Sequence, residues 1–205
     1  PPGAKRMLRD NGTWPEMLKA EQVSLVTQEI SHLSEGAIHT RDGKSYPVDM
    51  IICATGFKAA DFLYPLKVTG RGGQDLHAFW EGDCRAYLGI SVPGFPNLFM
   101  TGGPTTGVVV NGSAIFSAEC QVEYTLRALH HMLSQGYKAV DCRSEPYVQY
   151  NAYIDQGNET KAWAVAKTTS WYKNKSGRAA QTWPFGMLEY WNLTSTFKPE
   201  DHVLS

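Results

Sequence analysis

The chain has 205 residues, 42% of them hydrophobic and 12% aromatic, enough for one large domain or two small ones with a substantial core. Nineteen basic residues against twenty acidic ones give a net charge of -1, which announces no polyanion-binding surface and argues against nucleic acid as a partner. No run reaches the roughly eighteen consecutive apolar residues of a membrane-spanning helix, and no secretory signal pattern opens the chain, so a soluble, cytoplasmic protein with no membrane partner is expected.

The chain opens PPGAKRMLRDNGTW, which sets the basic pair Lys5-Arg6 within the first six residues, after a proline pair and a glycine. Taken alone, such a pair reads as solvated surface. Val23 to Val26 reads as a short buried strand. Ala37 to Thr40 and Lys44 to Val48 flank Arg41-Asp42-Gly43, whose Asp-Gly step signals a hairpin turn. Met50 to Cys53 is an apolar run without alternation, as expected of a strand covered on both faces in a parallel sheet. It ends in Ala54-Thr55-Gly56, small residues that allow close approach of another backbone or a ligand.

Residues 57 to 96 read as a long irregular connection. The GRGG at residues 70 to 73 lacks the spacing, preceding strand and following helix of a dinucleotide fingerprint. Asn97 to Thr101 reads as a second buried strand, broken by Gly102-Gly103-Pro104. A helix is predicted next, with Asn111 or Ser113 as N-cap and Gly136 as its stop. Its apolar residues Ile115, Phe116, Val122, Leu126, Leu129, Met132 and Leu133 recur at near-helical spacing. A strand, a glycine turn and a helix bring a helix N-terminus, with its unpaired amides and partial positive charge, to bear on an anionic or electron-rich ligand. Cys53, Cys84, Cys120 and Cys142 are scattered, with no CxxC pair and no histidine at ligand spacing. They are expected as buried small hydrophobes, with no metal site. Asp10 and Asp49 are expected to serve as caps or hairpin residues.

Four stretches taken in order, GAKRMLRDNGTW, DMIICATGF, FPNLFMTGGPTTG with ECQVEY, and SWYKNKSGRAAQTWPFGMLEYW, resemble the Baeyer-Villiger monooxygenases of the flavin-containing monooxygenase superfamily. The last resembles the closing segment of the branch typified by 4-hydroxyacetophenone monooxygenase. The resemblance implies an α/β chain that is the C-terminal portion of a flavoprotein with two Rossmann-like dinucleotide-binding domains, for FAD and NADP, plus a small hairpin and long irregular segments. Residues 1-53 would complete the NADP-binding domain, and residues 54-205 would form the C-terminal part of the FAD-binding domain with the substrate loop and closing segment. The remaining N-terminal half, on the same protein or on a complementary chain, would be the partner.

The activity implied is insertion of one oxygen atom from O2 next to a ketone carbonyl, giving an ester or lactone through a C4a-peroxyflavin, with FAD and NADP(H) as cofactors. The resemblance makes Arg6 catalytic, beside the flavin, and brings Lys5 to the 2'-phosphate of NADP. Gly103, Pro104, Ser113 and Ala114 would contact the flavin ring, Gly56 would pack where domains join, and Trp171 would reach NADP. Val108, Val109 and Val110 would shape the substrate pocket and suggest a hydrophobic ketone. Relatives often carry asparagine or glycine where this chain has Thr105-Thr106. Two other readings stay open at this point: a flavin monooxygenase that oxidises soft nitrogen or sulfur, and a non-catalytic subunit of a split flavoprotein.

Overall fold

The computed structural model describes residues 10-109, 112-165, 167 and 169-205. Lys5, Arg6, Val110 and Asn111 lie outside them. The chain separates into two compact units that divide between Gly56 and Phe57.

The first unit opens with a single helical turn, α1 (Thr13–Met17), whose N-cap is Gly12 at φ 87°, with Asp10 two residues before it. The Asp10 carboxylate accepts the N-H of Gly12 at 3.1 Å and of Trp14 at 2.7 Å, satisfying donors the helix start leaves unpaired. Three strands follow as an antiparallel meander: β1 (Ile30–Ser34), β2 (Ala37–Thr40) and β3 (Ser45–Pro47). The Arg41-Asp42-Gly43 turn forms where expected, closed by the Thr40 and Lys44 backbones at 3.0 Å and by Gly43 N-H donating to the Thr40 carbonyl at 3.0 Å. β1 has no counterpart in the sequence reading.

Two expected strands of this unit do not form. Val23 to Val26 is irregular chain, with Leu25 and Val26 exposed, and Met50 to Cys53 is irregular too, with Met50 77% and Ile52 82% exposed. A parallel strand exists only when neighbouring strands supply its hydrogen bonds, and among the described residues none lies beside either run. Cys53 is accordingly exposed, unlike the other three cysteines, and all four are free thiols. Gly56 has φ 88°, a left-handed backbone conformation that glycine adopts without strain, and no heavy atom of the described residues lies within 4 Å of the position a Cβ would take.

The second unit carries the core. α2 (Leu76–Trp80) starts at Asp75, whose carboxylate accepts the Ala78 N-H at 2.9 Å, and its Leu76 and Trp80 pack with Ala86, Val92, Phe95 and Met100. Gly70 of the GRGG run is a packing residue, because a Cβ there would stand 2.4 Å from the Gly94 carbonyl oxygen. Asn97 to Thr101 also differs from the reading: Asn97 has φ 60°, and its side chain ties this bend to Lys138 and Val140, an anchored turn in place of a strand.

The long helix α3 (Ala114–Ser134) forms as predicted, with Ser113 as N-cap. It ends in a Schellman motif: Tyr137 N-H donates to the Met132 carbonyl at 2.9 Å and Gly136 N-H to that of Leu133 at 3.2 Å, with Gly136 at φ 77°. Its buried stripe, however, is Ser117, Cys120, Gln121, Tyr124, Ala128 and Met132, while Ile115, Val122, Leu126 and Leu133 of the expected apolar face are exposed. β4 (Val140–Cys142), α4 (Ser144–Asn158), α5 (Ala162–Val165), α6 (Met187–Thr194) and β5 (His202–Leu204) follow, with β5 antiparallel to β4 and α6 packed on α3. Among the described residues no helix is long and apolar enough to cross a membrane.

His202 of β5 is buried among Tyr87, Tyr124 and Phe197, its Nδ1 2.9 Å from the Lys198 carbonyl oxygen. Burial holds its pKa below the usual 6.5, against the opposing pull of that bond and of Asp201, Asp141 and Glu200. The unfolded chain therefore takes up a proton near the ordinary histidine pKa while the folded chain does not, so this residue's contribution to stability falls as pH drops below about 6.5 towards the folded pKa. We expect His202→Gln to lose less melting temperature than the wild type between about pH 7.5 and 5.5. Equal losses in the two proteins would contradict this.

Candidate functional site

The glycine turn and the start of α3 enclose a cavity of about 260 Å³ lined, among others, by Gly102, Gly103, Val108, Ala114, Gln121 and Trp171. Each part is fixed by a local cause. Gly103 lies back to back with Gly89: a Cβ on Gly103 would stand 2.2 Å from the Gly89 carbonyl oxygen, and one on Gly89 would stand 2.0 Å from Thr106 Cγ2. Thr105 and Thr106 turn their hydroxyls onto their own loop, donating to the carbonyls of Pro104 at 2.6 Å and of Gly103 at 2.8 Å. The hydroxyls thus brace the turn from inside, which shows how two threonines serve this loop.

Gln121, one face along α3 from Ala114, links the turn to the core. Its Oε1 accepts the Gly102 N-H at 2.7 Å, and its Nε2 donates to the Tyr190 hydroxyl at 2.8 Å, which in turn donates to the Leu88 carbonyl at 2.8 Å. A buried network satisfied in this way fixes a single loop conformation. At the helix start, Ser113 Oγ accepts the Phe116 N-H at 3.3 Å, leaving the amides of Ala114 and Ile115 without partners inside the helix. A Cβ on Gly112 would stand 2.7 Å from Val108 Cγ1 and 2.8 Å from Met187 Cγ, so Val108 and the first residue of α6 close tightly over this end.

Trp171 enters from a hairpin near the end of the chain. Its arms are joined by Ala180 N-H to the Tyr172 carbonyl at 3.0 Å, by the Lys173-Ala179 bridge, and by Gln181 Nε2 to the Trp171 carbonyl at 2.7 Å. The second arm is stitched to the glycine-turn loop: Thr105 N-H donates to the Ala180 carbonyl at 3.1 Å, Gly107 N-H to that of Gln181 at 2.7 Å, and Trp183 N-H to that of Gly107 at 2.9 Å. The indole is 43% exposed, at the cavity rim.

Of the residues singled out in the sequence, Gly103, Val108, Ala114 and Trp171 therefore meet around one cavity. Pro104 is buried beneath the loop and Ser113 acts as the helix cap. Val109 turns away to pack against Trp163, Tyr172 and Ala179. Gly56 belongs to the other unit, and Lys5, Arg6 and Val110 lie outside the described residues. Gln121 and Gln181 were missed. The helical spacing of Ala114, Ser117, Ala118 and Gln121 marks one small-residue face and could have revealed Gln121, but no local signal points to Gln181.

Among the described residues the lining carries no charged side chain, and small residues at positions 102, 103, 114 and 118 leave backbone accessible beside the helix amides. That chemistry suits the edge of a planar, electron-rich ring held by N-H donors. No cluster of three or more metal-ligating side chains occurs among the described residues. Larger hollows run along the outer side of α3 and α6, and the one of about 540 Å³ lined by Ile115, Val122 and Trp191 shares Ala118 with this cavity but none of Gly103, Val108, Ala114 and Trp171.

No protein-family model matches the chain. It is 36% identical over 203 residues to an uncharacterized monooxygenase of Sinorhizobium fredii, a match covering 98% of this chain and 30% of the relative. It is 33% identical over 204 residues to a Baeyer-Villiger monooxygenase of Pseudomonas aeruginosa, covering 99% of this chain and 38% of that one. The chain's relatives are thus named monooxygenase and Baeyer-Villiger monooxygenase. Its fold superposes on a solved steroid monooxygenase bound to NADP with a TM-score of 0.80, at 27% identity, over 98% of this chain and 39% of the other. Its structural neighbours are flavin monooxygenases with two dinucleotide-binding domains, and this chain is a mixed α/β part of that architecture. It spans about a third of the length of the curated monooxygenases it matches, and the glycine turn, α3 and the Trp171 hairpin all lie within that third.

Proposed function

We propose that the chain is the C-terminal part of an NADPH- and FAD-dependent Baeyer-Villiger monooxygenase that inserts one oxygen atom from O2 beside a ketone carbonyl to give an ester or lactone. The observation that carries this reading is the meeting of Gly103, Val108, Ala114 and Trp171 around one cavity at the start of a 21-residue helix. Relatives named FAD-binding monooxygenase and solved structures carrying FAD and NADP support the cofactor assignment.

In this reading the flavin, when bound, supplies the electrons and the site at which oxygen is activated. The residues of this chain hold and orient. Gly102 and Gly103 let the ring approach the backbone, and the Ala114 and Ile115 amides at the positive end of α3 favour negative charge at its pyrimidine edge. Gln121 keeps the turn in register from below. Trp171, with a single indole N-H donor, would meet the NADP ribose and keep the nicotinamide in place while the ketone reacts. Val108 presents a methyl-bearing wall to the substrate, which favours an apolar ketone. Lys5 would pair with the NADP 2'-phosphate, and the Arg6 guanidinium would hold the oxyanion that develops on the attacked carbonyl.

The unit ending at Gly56 would complete the NADP-binding domain and the unit from Phe57 the FAD-binding domain. The remainder of the protein would cover the exposed runs at residues 23-26 and 50-53 and the outer face of α3. A supply of NADPH fits a cytoplasmic enzyme. The full-length protein supplied with NADPH and O2 is expected to turn a hydrophobic ketone into its ester or lactone. Formation of sulfoxide from a parallel sulfide substrate, with no ester from any ketone tried, would overturn the assignment.

A further inference from the structure

The tip of the Trp171 hairpin is bound by a closed ring of four charges. Arg178 donates from Nε to Asp155 Oδ1 at 2.7 Å and from Nη1 to Asp83 Oδ1 at 3.2 Å. Arg85 completes the ring, donating from Nε to Asp83 Oδ2 at 2.8 Å and from Nη1 to Asp155 Oδ2 at 2.8 Å. Two guanidiniums and two carboxylates make the ring neutral, and the Arg178 side chain is only 11% exposed. Three distant stretches are joined: the loop after α2, the last turn of α4 and the hairpin tip.

Asn174 couples the ring to the shape of the turn. Its Nδ2 donates to Asp83 Oδ1 at 2.7 Å, while its Oδ1 accepts the N-H groups of Ser176 at 3.1 Å and Arg178 at 3.0 Å. The second arm has its own anchors on the glycine-turn loop, through Thr105 and Gly107. The first arm carries Trp171. It is held through its partner arm, through Tyr172 packed with Trp163 and Ala179, and through the charged tip. Trp171 stands three residues before Asn174, in a turn closed by Lys173 N-H donating to the Ser170 carbonyl at 3.0 Å, a short hydrogen-bonded stretch that passes a displacement of the tip to the indole.

We propose that Arg178, with Asp83, Arg85, Asp155 and Asn174, is a positioning device for Trp171 that sets the enzyme's affinity for the nicotinamide dinucleotide. The inference rests on the reading that Trp171 meets NADP(H). Arginine is required at the tip because one planar guanidinium serves two carboxylates at once, which an ammonium point charge does less well.

The test is a double-mutant cycle in the full-length flavin-loaded enzyme, read as the Kd for NADP+ by equilibrium titration. Trp171→Ala and Arg178→Lys are each expected to weaken NADP+ binding by about tenfold, and the double variant by no more than Trp171→Ala alone, because residues in one network are not additive. If Arg178→Lys weakens binding equally with and without Trp171, the ring acts by another route and the proposal fails. If Trp171→Ala weakens binding but Arg178→Lys does not, the proposal fails and the Trp171 assignment stands. If Trp171→Ala leaves Kd unchanged, both fail. Should Arg178→Lys lose its flavin on purification, Asp83→Asn replaces it in the same cycle with the same expected outcomes.

Discussion

Arg6→Ala is expected to lower ester formation from a ketone by about a hundredfold to a thousandfold, the range seen when one preorganised oxyanion donor is removed. A guanidinium stays charged at any working pH and offers a rigid fork of donors, so it can hold the developing oxyanion without reorganising. Because the loss falls on the oxygen-transfer step, NADPH consumption should continue and hydrogen peroxide should accumulate in place of ester. Arg6→Lys keeps the charge but not the fork and should recover only part of the rate. Product analysis beside NADPH consumption reads all of this, and an alanine variant with undiminished ester output would remove Arg6 from the chemistry.

Gly103→Ala should prevent flavin retention. The added methyl would meet the Gly89 carbonyl oxygen at 2.2 Å, and that atom is backbone with no rotamer to escape into. Gly89 cannot retreat freely either, because Thr106 and the Pro104 carbonyl lie against its other side. The turn must therefore open, which breaks the Thr106-Gly103 hydroxyl bond and the Gly102-Gln121 bond that shape the cavity. Overpacking of this kind costs on the order of 1 to 3 kcal/mol, and here the strain falls on the loop that would face the ring. The flavin-to-protein absorbance ratio of the purified full-length protein, with its melting temperature, checks this. A variant holding flavin at the wild-type ratio would show that the turn does not shape the flavin site.

The elements legible in the sequence were those written by local chemistry. Ser113 and Gly136 bracket α3 because a cap and a Schellman stop depend on the few residues around them, and Asp42-Gly43 closes its hairpin for the same reason. The runs at residues 23-26, 50-53 and 97-101 were misread because an apolar stretch becomes a strand only beside another strand, and sequence composition does not say whether one is present. Part of the buried face of α3 was misread for a related reason. Ser117 and Gln121 look solvent-facing until their partners are known, yet Gln121 is fully buried between Gly102 and Tyr190.

The candidate site was half legible. Gly103, Val108 and Ala114 lie within twelve residues of one another on a recognisable turn and helix start, and the resemblance to a family supplied Trp171. Gln181 and the ring of Asp83, Arg85, Asp155 and Arg178 were invisible, since each depends on groups about ten to ninety-five residues away. Polar side chains advertise no partner in the sequence, and long-range ion pairs even less.

The claim on which the account turns is that the N-terminus of α3 supports negative charge on the bound flavin. Ala114→Asp tests it most directly, because a carboxylate in the first turn favours the helix but repels an anion held against it. The flavin midpoint potential of the full-length Ala114→Asp enzyme should be more negative than the wild type's, by about 30 mV for each 1.4 kcal/mol of repulsion on a two-electron couple, with melting temperature unchanged or raised. An unchanged potential in a variant that still binds flavin would place the ring elsewhere and contradict the account.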